Sequence, residues 1–164
     1  MRAEPSRRWR VAGAAAGAAL LVAALGGTIT KLGPWYAALE KPPWQPPDIA
    51  FPVAWTVIYA LTAASGVMAW LASRERVWRE WVIGLFALNG FLNLVWSFLF
   101  FRLHRPDWAF LEVFALLASI LALIVFLWPR TKLGALLLAP YVVWVCFAAA
   151  LNWAIIALNG PFVP

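Results

Sequence analysis

Five apolar stretches, each about twenty residues long, dominate this chain and leave little room for anything else. They fall at roughly 9–30, 51–73, 80–101, 107–128 and 133–159. About twenty helical residues cross about 30 Å, the hydrocarbon thickness of a bilayer. A chain of 164 residues that is 65% hydrophobic and 12% charged has about half the charge of a soluble domain. A small water-soluble fold has too much surface for its volume to hide that much apolar area. Lipid is therefore the expected solvent. Backbone groups in lipid must be satisfied within the segment, so each stretch is read as a helix, and no period-2 alternation argues for a barrel. The expected fold class is all-α integral membrane, a five-transmembrane-helix bundle, with 1–164 as one membrane domain.

The connections hold nearly all the charge. They are Arg74-Glu75-Arg76-Val77-Trp78-Arg79, Arg102-Leu103-His104-Arg105-Pro106 and Pro129-Arg130-Thr131-Lys132, and such short links force neighbouring helices to run antiparallel. The net charge of +6 is read as loop charge that sets topology, not as a nucleic-acid surface. Arg2, Arg7, Arg8, Arg10, Arg74, Arg76, Arg79, Arg130 and Lys132 fall on one side, nine in all, against Lys31, Lys41, Arg102 and Arg105 on the other. The positive-inside rule then puts the N-terminus inside for an inner or plasma membrane. Ser6-Arg7-Arg8 ahead of an Ala/Leu-rich run resembles a signal peptide. The run is long for one and lacks a small-x-small cleavage site, so it is read as the first span. Gly13 and Gly17 have GxxxG spacing, which suits close helix packing and also arises by chance in an Ala/Gly-rich helix. The lone Cys146 forms no intrachain disulfide and is read as a small core residue.

The longest connection, 31–50, holds five prolines and two tryptophans. Proline fixes φ, so this segment is expected to be stiff, and it reads as a lid. On the helices next to it, Trp55 and Tyr59 share a stripe. Asn89, Asn93, Trp96 and Phe100 form a second, and Pro140, Trp144, Ala148 and Asn152 a third. An amide in hydrocarbon is costly unless paired or facing a cavity, so the three asparagines should point inward. Asn93 is read as a cavity contact because it shares a face with Trp96, whereas Asn89 and Asn152 are read as interhelical glue. Trp9, Trp70, Trp78, Trp81, Trp108 and Trp128 read as interfacial anchors, while Trp55, Trp96 and Trp144 would wall a pocket suited to a flat, apolar molecule. Glu112 reads as a side chain reaching the interface near Arg102 or Arg105, with a buried proton or ligand site as the alternative. His104 stands alone and makes no metal or haem site; no Ser/His/Asp set, phosphate loop or cysteine metal spacing is present.

These motifs resemble the TspO/MBR family, the translocator or peripheral-type benzodiazepine receptor proteins. The resemblance rests on Trp35-Tyr36-x-x-Leu39-x-Lys41-Pro42-Pro43-Trp44-x-Pro46-Pro47, Phe51-Pro52-x-Ala54-Trp55-Thr56-x-x-Tyr59 and Asn93-x-x-Trp96-Ser97 with Phe100-Phe101. It extends to Pro140-Tyr141-x-x-Trp144-x-x-Phe147-Ala148-x-x-Leu151-Asn152. It implies a five-helix bundle, often a homodimer, that binds protoporphyrin IX or related tetrapyrroles, haem among them, and lipid or sterol. Isoquinoline carboxamides and benzodiazepines occupy the same pocket in the family. It implies ligand contacts from Tyr36, Trp44, Trp55, Tyr59, Asn93, Trp96, Phe100, Trp144, Ala148 and Leu151, with Trp55 and Asn93 hydrogen-bonding a ligand carbonyl. No cofactor is required beyond porphyrin as ligand, and neither metal nor nucleic acid is expected. The roles implied are transport or stress sensing, light-dependent porphyrin breakdown through Trp55 and Trp144, or a scaffold with a vestigial pocket. Two departures stand out. Trp153 and Ala157 replace the aromatic and basic residues of the mammalian cholesterol motif. Phe98 replaces the proline usual after Trp-Ser, which is expected to straighten the end of the third span.

Overall fold

The computed structural model describes residues 5–162, with side chains from residue 9 onward. Arg2 lies outside the described residues, as do the side chains of Ser6, Arg7 and Arg8. Among the described residues seven helices follow in order: α1 (Pro5–Ile29), α2 (Pro34–Ala38), α3 (Ala50–Ala72), α4 (Arg76–Phe101), α5 (Pro106–Leu127), α6 (Lys132–Leu136) and α7 (Ala139–Asn159). Five spans are long and apolar enough to cross a membrane: α1, α3, α4, α5 and the α6–α7 pair. Among the described residues there is no strand. The protein is a multi-pass integral membrane bundle.

Local chemistry moves several boundaries. The α2 turn interrupts the 31–50 connection, with Pro34 at the position where a missing N–H costs nothing. α4 starts at Arg76, inside the charged stretch read as a loop; Trp78 in its first turn is buried in the core, and Arg76 Nε donates to Glu80 Oε1 at 2.6 Å. The fifth span is not one helix from 133 to 159. It breaks at Leu137–Leu138, because Pro140 has no N–H to offer Leu136 and its ring crowds that carbonyl. Thr131 caps α6 by accepting from Gly134 N, and Ser65 Oγ of α3 donates to the Gly134 carbonyl at 2.7 Å, so the break is tied into the bundle. α4 runs unbroken to Phe101, as expected with Phe98 in place of proline.

Packing follows the antiparallel order. α5 lies between α4 and α7, and α1 packs against α3 and α4. The core stripe of α5 is Ala109, Val113, Leu116, Ile120, Leu123 and Leu127, spaced three and four apart. Trp78 belongs to this core, not to the interface. It is 7% exposed, stacks on Phe126 at 4.4 Å and donates its indole N–H to the Ala69 carbonyl at 2.8 Å. The other tryptophans read as anchors stay at the surface: Trp9, Trp81, Trp108 and Trp128 are exposed, and Arg79 lies over the Trp70 ring. Cys146 is also exposed, on the outer face of α7, contrary to its reading as a core residue; a helix packed on one side leaves apolar positions facing lipid. A Cβ placed on Gly13 or Gly17 would meet nothing within 4 Å, so their GxxxG face is free within this chain. The close approach of α1 to α4 occurs at Gly90, where a Cβ would stand 3.2 Å from Val22 Cγ2. Gly90→Leu should therefore destabilise the bundle by about 1–3 kcal/mol through overpacking. Gly84→Leu, where nothing lies within 4 Å, should leave the thermal midpoint in detergent unchanged or higher.

Candidate functional site

The ends of α1 and α4 and the starts of α3 and α5 meet the middle of α7, Trp144 to Ile155, beneath the 31–50 connection. There they enclose a cavity of about 460 Å³. Tyr36, Trp55, Tyr59, Asn93, Trp96, Phe100, Trp144, Ala148 and Leu151 all line it. Trp44 does not; it is 49% exposed and sits edge-on to Phe147 at 5.8 Å. The walls are aromatic pairs. Trp55 stacks on Tyr59 at 5.3 Å, Trp96 on Phe100 at 5.2 Å, and Phe51 meets Trp144 edge-on at 5.8 Å.

Sequence stripes did not find the α1 wall, made by Ala23, Gly26, Gly27 and Thr30, nor Val113 and Leu116 of α5. Small residues carry no aromatic or amide signal. A Cβ on Gly26 would stand 3.8 Å from the Tyr59 hydroxyl, an ordinary contact, so α1 lies against α3 here without requiring glycine.

The buried asparagines each bond across helices. Tyr59 Oη donates to Asn93 Oδ1 at 2.9 Å, and Asn93 Nδ2 donates to Tyr141 Oη at 3.3 Å, which joins α3, α4 and α7. Asn89 Nδ2 donates to Ser119 Oγ at 2.8 Å, linking α4 to α5. Asn152, with its amide oriented to satisfy both ends, donates to the Pro106 carbonyl and accepts from Phe110 N, each at 3.1 Å. Asn93 thus both faces the cavity and bonds across helices, while Asn89 and Asn152 hold helices together; Asn152 also touches the cavity.

Glu112 does not reach the interface. Arg105 instead pairs with Asp107, with Nε donating to Oδ1 at 2.8 Å, and both Glu112 carboxylate oxygens are buried with no hydrogen-bond partner. The indole nitrogen of Trp96 is buried and unpartnered as well.

The lid is fastened at two points. Glu40 N donates to Asn159 Oδ1 at 2.8 Å, and Asn159 Nδ2 donates to the Glu40 carbonyl at 2.9 Å. This reciprocal pair clasps the lid to the end of α7. Nearer α1, Trp35 stacks on His104 at 4.2 Å and 17°. His104 takes φ 55°, a left-handed conformation uncommon outside glycine, which lays its ring along the lid. Lys41 Nζ stands 4.1 Å over the Tyr36 ring. Burial pushes the Tyr36 phenol above its usual pKa, Asp48 adds to this and the Gln45 amide opposes it. Among the described residues no group of three or more His, Cys, Asp or Glu side chains is placed to hold a metal. The arrangement can stack a flat apolar guest and offer it one amide and a few hydroxyls.

Comparison with known proteins gives one result throughout. The TspO/MBR family model matches residues 14–158. The chain is 36% identical to protein CrtK of Rhodobacter capsulatus over 133 residues, covering 81% of this chain and 83% of that protein. It is 37% identical to tryptophan-rich protein TspO of Archaeoglobus fulgidus over 134 residues, with 81% and 85% covered. It is 34% identical to the translocator protein of Sus scrofa over 146 residues, with 82% and 84% covered.

Three substitutions test the geometry. Asn93→Leu strands the hydroxyls of Tyr59 and Tyr141 and should lower stability in detergent by about 1–3 kcal/mol; Tyr59→Phe, which removes one bond, should cost less. Asn159→Ala opens the clasp, and the Glu40 amide should then exchange with deuterium faster, with the core of α5 unchanged.

Proposed function

The chain belongs to the TspO/MBR family, and on that footing we propose that its cavity binds a tetrapyrrole such as protoporphyrin IX. The observation that supports this is the convergence of Trp55, Trp96 and Trp144 with Asn93 on one cavity under a fastened lid. A porphyrin is flat, apolar in its middle and polar at its edge. Offset stacking on indole faces suits the middle, and a positioned amide suits the edge. The cavity is also within the usual size of small-molecule pockets, about 300–1,000 Å³. Binding serves transport or stress sensing in this reading, with the N-terminus inside. A homodimer would use the small-residue face of α1 that Gly13 and Gly17 leave free. Lipid or sterol is a second class of guest for the same apolar walls.

Trp55 and Trp144 favour a further reading, light-dependent porphyrin breakdown, because both indoles reach the same cavity. Light and molecular oxygen would drive that reaction, so the lack of an acid–base pair is no obstacle.

Titration of the detergent-purified protein with protoporphyrin IX should quench tryptophan fluorescence to saturation. The Trp55→Phe, Asn93→Ala double variant should bind about tenfold more weakly, the worth of about 1.4 kcal/mol. Equal quenching in that variant would remove the cavity from the reading. Under illumination, loss of the porphyrin absorption bands with wild-type protein but not with Trp144→Phe would establish breakdown over simple binding.

A further inference from the structure

The cavity is not closed equally on all sides. Every wall residue that α4, α5 and α7 contribute is buried or half-buried. The exposed wall residues are Gly27 and Leu32 on the α1 side and Asp48, Pro52 and Thr56 on the α3 side. Pro52 and Thr56 share one edge of α3, and Asp48 stands in the turn that leads into it. Gly27 decides where the wall is open. A glycine has no side chain to reach from an inner face to an outer one, so the same few backbone atoms both line the cavity and meet the outside. A Cβ placed there would meet nothing within 4 Å. The wall therefore has a slot between the end of α1 and the start of α3. Register gives the reason. The two helices run antiparallel, and a Cβ on Gly26 would stand 3.8 Å from the Tyr59 hydroxyl. At about 1.5 Å per residue, α1 then ends, at Ile29, about level with the second turn of α3. The first turn of α3 has only the irregular segment 30–33 beside it.

The slot faces lipid. Val53 and Val57 flank it on α3, and Ala24 and Leu20 continue the face of Gly27 down α1; all four are exposed. The Thr56 hydroxyl is already bonded within α3, donating to the Pro52 carbonyl at 2.8 Å, so this lip asks nothing of the acyl chains. The route from above is the fastened one: Glu40 is clasped to Asn159 of α7, and Trp35 stacks on His104 of the α4–α5 turn. We propose that the slot is the doorway through which a flat apolar guest, dissolved in the bilayer, passes sideways into the cavity. Such a guest moves from acyl chains to indole walls without crossing water, and its solubility in lipid concentrates it at the opening. Gly27 and Thr56 are the two sides of the doorway. They set how fast the guest passes, while the stacked indoles set how tightly it is held. This rests on the tetrapyrrole reading above and adds to it the route by which the guest arrives.

The test follows protoporphyrin IX entering and leaving the full chain in phosphatidylcholine vesicles. Binding is timed by tryptophan quenching after mixing, and release by its recovery when protein-free vesicles are added in excess. The partition of porphyrin into lipid, common to every variant, is timed with protein-free vesicles alone. Gly27→Leu, which fills the slot, should slow binding and release alike by about tenfold and leave the dissociation constant within about twofold, because a narrower doorway raises one barrier crossed in both directions. Thr56→Leu, on the facing side, should do the same. Gly27→Leu should melt no lower than wild type, since leucine favours a helix over glycine and its Cβ meets open space. Gly84→Leu, on α4 and outside the cavity wall, should keep both wild-type rates. Asn159→Ala, which frees the lid, should bind at the wild-type rate. Wild-type rates in both Gly27→Leu and Thr56→Leu would overturn the inference and leave the tetrapyrrole reading standing. Weaker binding in Gly27→Leu through faster release alone would make that residue a wall contact and also overturn it. Faster binding in Asn159→Ala, with Gly27→Leu at the wild-type rate, would move the doorway under the lid. If wild type takes up no protoporphyrin IX, the tetrapyrrole reading falls and the doorway with it. Were Gly27→Leu to fail to fold, wild-type rates in Thr56→Leu would suffice to overturn the inference.

Discussion

The bundle is organised by one constraint: a polar group inside hydrocarbon has no water to fall back on, and the three buried asparagines find their partners in other helices. Three asparagines meet that demand in three ways. Asn93 ties α3 to α7 through two tyrosine hydroxyls, Asn89 ties α4 to α5 through Ser119, and Asn152 reaches the backbone at the start of α5. Apolar contact alone would not choose among helix arrangements here, because lipid tails are as apolar as the side chains they replace. Directional bonds supply the choice. The Asn93 bonds lie beside the aromatic pairs that wall the cavity.

The spans were legible because hydropathy is a one-dimensional signal, and each span needs only length and apolarity. The stripes of α3, α4 and α7 were legible too, since spacing of three and four on a helix is set by its geometry. Nine of the ten residues singled out from those stripes and from the family resemblance share one cavity. Trp44 lies outside that cavity, and its place was not legible because a loop has no periodicity and its proline neighbours say that it is stiff without saying where it points. Trp78 was misread because a tryptophan near a boundary looks like an anchor unless its partner is known, and Phe126 lies on a different helix. Glu112 shows the limit most clearly. A lone acid near two arginines invites an ion pair, but the arginine in reach takes Asp107. Which residue faces which across a seam depends on register between helices, and a single sequence does not carry that.

The polar ends of the molecule obey different rules. At the α3–α4 and α5–α6 turns, Arg130 both pairs with Glu75 at 3.0 Å and lies over the Trp78 ring, and Lys132 lies over Trp128. These contacts are screened and individually weak, and their value lies in setting the depth of the bundle in the headgroup layer. At the opposite end the Glu40–Asn159 pair and the Trp35–His104 stack join segments far apart in sequence, as suits a segment that covers a cavity.

The clasp between Glu40 and Asn159 has a mechanical consequence. Asn159 also donates to the Ile155 carbonyl of its own helix, so its amide is held rigidly while it grips the loop. Ile155 and Leu151, one and two turns back, are themselves wall residues. The cover and one wall are thereby a single lever: a tilt of the last helix, whether from a neighbouring subunit or from a change in bilayer thickness, shifts the roof and the side of the chamber together.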